Sequence, residues 1–171
     1  MKPTQDQILA RELGKVGALG GAIGGLAPGA AGGYLGASIA ARFLPTETFS
    51  TTRQIRKKPD DAVRTVFEVL SSIGRITDEF TDELAAPRLS AVVGSGFLKM
   101  NPAIVHVHVA PREDGTVDIT TTAAAKEGLI KQHTAEKAVT RFFDALSKKE
   151  PNPESCVTRS RHTTPVEQAH D

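Results

Sequence analysis

Between residues 45 and 150 the chain switches between two hydrophobic periods. Val63, Val66, Phe67, Leu70 and Ile73 recur at steps of three and four, which on a helix makes one buried stripe. Val139, Phe142, Phe143 and Leu146 repeat the pattern further on. Between them the period falls to two. Val105, Val107 and Val109 alternate with His106 and His108, and Val117 and Ile119 alternate with Asp118, Thr120 and Thr122. Pro111–Gly115 (PREDG) separates these runs with turn-forming residues, so Ile104–Ala110 and Thr116–Thr122 read as a β-hairpin with one apolar and one wet face.

Phe49–Ile55 reads as an earlier strand, and Arg75–Phe80 and Leu89–Val93 as two more, the last running into a turn at Gly94-Ser95-Gly96. Pro59, Asp60 and Asp61 suit the first turn of a helix, where a missing N–H is harmless and carboxylates meet the dipole. Gly74 supplies its stop, and Thr134 caps the last helix. The order β-α-β-β-β-α predicts an α+β domain over residues 45–150, a small antiparallel sheet with two helices on one face. By topology it looks like a reduced helix-grip. Phe67 is expected at the centre of its core and both histidines on the solvated face. Residues 151–171, rich in Pro, Ser, Thr and charge without period, read as a disordered tail.

The N-terminal part follows another rule. Residues 1–15 are polar with one apolar stripe (Ile8, Leu9, Leu13), an amphipathic lead-in to residues 16–44. Within that segment Val16–Ala41 holds 26 residues without a charge. Gly17, Gly21, Gly25, Gly29 and Gly33 repeat every four residues, and Gly20, Gly24, Gly32 and Gly36 form a second row interrupted at Pro28. Glycine costs about 1 kcal/mol per interior helix position in water, whereas close helix contacts in lipid favour small residues at this spacing. Through Gly17-Ala18-Leu19-Gly20-Gly21-Ala22-Ile23-Gly24-Gly25 and Gly32-Gly33-Tyr34-Leu35-Gly36 the segment resembles glycine-zipper membrane proteins. The resemblance implies a membrane-embedded, self-associating helix.

A straight helix of 26 residues would measure about 39 Å against a hydrocarbon core of about 30 Å. Pro28 permits either one kinked span or a hairpin at Ala27-Pro28-Gly29 whose arms are each too short to cross. A cleaved signal ending at Ser38-Ile39-Ala40, a linker and a soluble packed helix are the rival readings. For a single span, the excess of Lys and Arg after the segment (Arg42, Arg53, Arg56, Lys57, Lys58) over those before it (Lys2, Arg11, Lys15) would place the folded domain on the cytoplasmic side.

Charge and chemistry narrow the function only by exclusion. Twenty-one basic and 20 acidic residues nearly cancel, and with seven Phe, one Tyr and no Trp there is no base-stacking surface, so no nucleic-acid partner is expected. The single Cys156 forms no internal disulfide. Arg53, Arg56, Lys57 and Lys58 form a cluster able to touch an anionic surface. His106 and His108 are the one pair with metal-like spacing, with Asp118 or His133 as a conceivable third ligand, but two solvated histidines are the ordinary case. No catalytic residue and no cofactor are expected. The chain reads as a non-catalytic, membrane-associated, self-associating protein presenting a small α+β interaction domain, its protein partner unspecified. A soluble or secreted domain binding an apolar ligand and a metal-dependent enzyme using the His-x-His strand are the alternatives.

Overall fold

The computed structural model describes residues 4–23, 27–77, 88–95, 101–128, 132–150 and 158–164. Two helices, α1 (Gln5–Ile23) and α2 (Ala27–Arg42), precede β1 (Thr46–Ile55), α3 (Pro59–Ile73), β2 (Arg75–Ile76), β3 (Arg88–Ser95), β4 (Asn101–Pro111), β5 (Val117–Lys126), α4 (Thr134–Lys149) and β6 (Thr158–Thr164). All strand pairs are antiparallel, in the order β2-β3-β4-β5-β1-β6. Helices α3 and α4 cover one sheet face. The fold is α+β, as the two periods imply.

The core lies between that face and the two helices. Val105, Val107, Val109, Val117 and Ile119 meet Val66, Val69, Leu70, Val139, Phe142, Phe143 and Leu146 in one buried cluster. Phe142 and Phe143 pack edge to face with centroids 5.2 Å apart, the arrangement aromatic quadrupoles favour. The space between sheet and α4, where an apolar ligand would have to sit, is filled by these side chains.

Four expectations are corrected. Phe67 is 48 % exposed rather than central, because α3 buries Ala62, Thr65, Val66, Val69, Leu70 and Ile73. Each residue turns a helix by about 100°, so a stripe centred between Val66, Val69 and Ile73 carries Phe67 away from the sheet. Val69 and Ala62 were the overlooked members. Gly94 and Ser95 belong to β3 instead of a turn, while Gly96 lies outside the described residues. Thr134 is the first residue of α4 and not its cap; His133 occupies that position in the left-handed conformation (φ 53°, ψ 45°). Part of the tail expected to be disordered is a strand: Thr158–Thr164 pairs with Thr46–Thr52, covering an edge of β1 that would otherwise present bare N–H and C=O groups. Other residues of 151–171 lie outside the described residues, as does the continuation of β2 expected over 78–80.

The opposite sheet face is not uniformly wet. Ile8 and Leu9 of α1 are 1 % and 0 % exposed and pack on Val92 of β3 and Ile104 of β4, a second, smaller core. Burying two such side chains is worth about 3–6 kcal/mol. His106, one register step from Ile104 on the same face, is 6 % exposed and bonded through Nδ1 to the Ser90 hydroxyl at 2.8 Å. Its assignment to the solvated face is thus half right: it points away from the main core, into a covered patch. Only further along the sheet does that face turn polar, where Ser50 pairs with Thr122 and Thr52 with Thr120 through hydroxyls 3.0 Å apart.

Truncation should separate the faces of the helices. Phe142→Ala leaves a cavity in a fully buried site and is expected to cost about 3–5 kcal/mol. Phe67→Ala removes an exposed ring and should stay within about 0.5 kcal/mol. Thermal unfolding followed by circular dichroism reads both, and equal losses would reject the observed orientation of α3.

Candidate functional site: a helical hairpin crossed at glycine

The uncharged segment forms neither one kinked span nor a linker. It divides into two helices that pack on each other as an antiparallel pair, with residues 24–26 between them outside the described residues. The crossing is backbone to backbone. A Cβ added to Gly17 would collide with the carbonyl oxygen of Gly33 and lie 2.5 Å from Ala37 Cβ, and one added to Gly33 would strike the carbonyl oxygen of Gly17. At Gly14 the added atom would sit 2.9 Å from the Tyr34 ring and 3.2 Å from Ser38 Cβ. Any larger residue at 17 or 33 forces the helices apart. Ala10 and Ala41, 5 % and 1 % exposed, are small buried members of the same two helices.

The two glycine rows therefore separate. Gly17 and Gly33, from the first row, make the contact within the chain. Gly32 and Gly36, from the second, have open space where a Cβ would be. Beside them Leu35 (58 % exposed) and Ile39 (54 %) border a cleft shared with Asp6, Gln7, Ala10 and Arg11 of α1; Phe43, just past the helix, is 74 % exposed. The surroundings of Gly20, Gly21 and Gly29, and the residues Gly24 and Gly25 themselves, lie outside what is described. No helix among the described residues is long and apolar enough to cross a membrane. The expectation of a transmembrane helix is corrected accordingly. In α1 the charges of Asp6, Arg11, Glu12 and Lys15 leave only Val16–Ile23 uncharged, about 12 Å of helix. The charge-bias argument for a cytoplasmic domain needed one span, and α1 and α2 supply none.

The base of the hairpin is fixed by charge. Asp6 Oδ1 lies 3.1 Å from the ammonium of Lys126, whose side chain is 1 % exposed, and accepts a bond of 3.0 Å from the Thr46 hydroxyl. Lys126 also donates to the Leu44 carbonyl at 3.1 Å. Glu12 Oε1 receives Lys15 Nζ at 2.8 Å and Arg75 Nη2 at 2.9 Å. Beyond Glu12 the helix parts from the domain, leaving a cleft of about 560 Å³ floored by Val16, Ile73, Gly74, Val92 and Pro102.

The remaining candidates are dispersed. Of the basic cluster, Arg53 lies on the core side, its guanidinium 4.4 Å from the Phe143 centroid and bonded to Ser147 Oγ at 3.3 Å. Lys57 bonds Thr65 Oγ1 at 2.7 Å and pairs with Glu150. Only Arg56 and Lys58 are exposed, and they lie beyond the end of β1 opposite the hairpin. His106 and His108 share a sheet face, but Asp118 pairs with Arg112 at 2.9 Å and His133 stands beside Glu47 at 3.4 Å across the sheet. Among the described residues no group of three His, Cys, Asp or Glu is placed to hold a metal ion.

One carboxylate escaped the sequence reading. Glu127, 6 % exposed, accepts the backbone N–H groups of Gln132 and Thr134, each at 2.7 Å, and so supplies from seven residues upstream the cap that Thr134 was expected to provide. Burial pushes its pKa up, but the bonds from Gln132 and Thr134 outweigh that and hold it below the ordinary carboxylate value. Compared with known proteins, the chain matches no family model and no curated relative.

Two measurements test this geometry. Gly33→Ala should loosen the hairpin, seen as faster amide hydrogen exchange in both helices. Gly36→Ala, in open space, should stabilise α2 by up to about 1 kcal/mol through helix propensity alone. Similar effects at the two sites would refute the crossing. For Glu127, a depressed folded pKa means that its stabilisation is present above the unfolded value near 4.5 and fades as pH falls through the folded one. Glu127→Gln should therefore destabilise at neutral pH by about 1 kcal/mol, typical of a lost cap, and flatten the loss of stability below about pH 4.5. An unchanged acid limb would remove Glu127 from that role.

Proposed function

We propose that this is a non-catalytic membrane-associated protein that uses its glycine-crossed hairpin as the membrane-contacting element and presents the α+β domain beside the surface. The observation that carries the reading is the coincidence of a Gly/Ala-built hairpin, uncharged from Val16 to Ala41, with large exposed apolar side chains, Leu35, Ile39 and Phe43, along and just past α2. Exposed large apolar side chains at a four-residue step mark a surface of contact, with a membrane or with another protein. A stretch of α1 about 12 Å long suits one leaflet of a core about 30 Å thick better than a full crossing. The hairpin enters as a wedge and does not span.

Self-association, which the glycine-zipper resemblance implies, then falls to Gly32 and Gly36, since Gly17 and Gly33 are occupied within the chain. The exposed cations Arg56 and Lys58 lie at the other end of β1, more than 20 Å away at about 3.3 Å per residue, and take no part in hairpin insertion.

The test is flotation of the full chain with neutral phosphatidylcholine vesicles at 1 M salt, where surface electrostatics are screened. The protein should float, and Leu35→Asp with Ile39→Asp should remain at the bottom of the gradient with an unchanged melting profile. Failure of the unaltered chain to float, or equal flotation of the double variant, would overturn the proposal.

A further inference from the structure

We propose that the helical hairpin is a hinged arm, latched to the sheet by the Asp6–Lys126 pair and able to lift off as a unit about Phe43–Pro45. Four observations point the same way. The chain leaves α2 through a link of three residues before β1 begins at Thr46. It is α1, chiefly against β4, that carries the contact with the sheet, while α2 packs on α1. That contact centres on the first turns of α1, with Ile8 and Leu9 on Val92 and Ile104 and Glu12 reaching Arg75, and beyond Glu12 a cleft separates Val16 from Ile73 and Gly74. Finally, the two helices meet backbone to backbone at Gly17 and Gly33, a contact made entirely within the hairpin.

The latch follows from where the charges sit. Lys126 is buried under α1, with its ammonium 3.1 Å from Asp6, while the Asp6 side chain is 63 % exposed. The docked state therefore keeps one buried cation compensated by one carboxylate that water already reaches. Remove Asp6 and docking leaves the ammonium buried without its counter-charge, whereas lifting the arm returns it to water. The equilibrium then favours release. Release would uncover Ile8, Leu9, Val92 and Ile104 together, a compact apolar surface that the closed arm hides.

The inference stands apart from the membrane reading, and its test is run on the full chain without lipid. In methyl-labelled protein the Ile8–Ile104 nuclear Overhauser cross-peak reports docking. Asp6→Asn should weaken it at least tenfold while methyl shifts of Val66, Val107 and Val139 in the main core stay in place. Adding Lys126→Met removes the buried charge and should restore the cross-peak. An undiminished cross-peak in Asp6→Asn, no recovery in Asp6→Asn/Lys126→Met, or collapse of the main-core shifts together with the cross-peak would each overturn the hinge: the first two by removing the latch, the last by making hairpin and domain one cooperative unit.

Discussion

The contact between the backbones of Gly17 and Gly33 governs what the N-terminal third of the molecule can be. Two helices built from Gly and Ala have few side-chain atoms to bury, so their attraction rests on dispersion across a short interaxial distance. That distance exists only while no Cβ intrudes, and at both positions an added Cβ would meet a carbonyl oxygen. The helix propensity lost at each glycine is offset by this approach, and at Gly32 and Gly36 it is not. Among the described residues nothing stands where a Cβ at Gly32 or Gly36 would be, and Leu35 and Ile39 beside them are exposed.

The sheet shows a second constraint, that of two unequal cores on its two faces. Val105, Val107 and Val109 could be assigned to the main core from period alone, and Val117 and Ile119 with them, because a strand alternates faces by geometry. Ile104 broke that pattern as an apolar residue among polar ones on the other face, and its partner lies nearly a hundred residues away, in Ile8 and Leu9. Nothing local announces such a contact. The same cover explains His106, whose direction was legible and whose burial was not. Phe67 failed for a different reason: on α3 the steps of three and four fit two overlapping stripes, and the large ring drew the reading to the wrong one, while the smaller Ala62 and Val69 mark the buried side.

For the candidate site, the glycine spacing disclosed that helices approach closely, but not whether the partner helix belongs to the same chain. Pro28 was the local sign of a break, and the structure places a helix end just before it, at Ile23, and a new start at Ala27. The basic run Arg53–Lys58 illustrates the opposite limit. Read as a string it is a patch; in the fold Arg53, on β1, stacks on Phe143 and Lys57, just past the strand, turns to Glu150, which leaves Arg56 and Lys58 as its exposed members. Glu127 was invisible for the same class of reason, since capping signals are sought within three residues of a helix start and this carboxylate arrives from the end of β5.

Charge placement along α1 divides the helix in two. Asp6 and Glu12 face the domain as partners of Lys126 and Arg75, so the charged half of the helix is committed to the sheet. The uncharged part begins at Val16, which with Leu19 lines the cleft opposite Ile73, Gly74 and Val92. The change from ion-paired contact to open cleft thus coincides with the change from charged to uncharged sequence. An element meant to stay on the domain would carry its apolar stripe along its whole length, as α3 and α4 do. An element meant only for lipid would not use its first turns to compensate a buried lysine. The division within one helix fits an arm that is anchored at its base and presents its tip elsewhere.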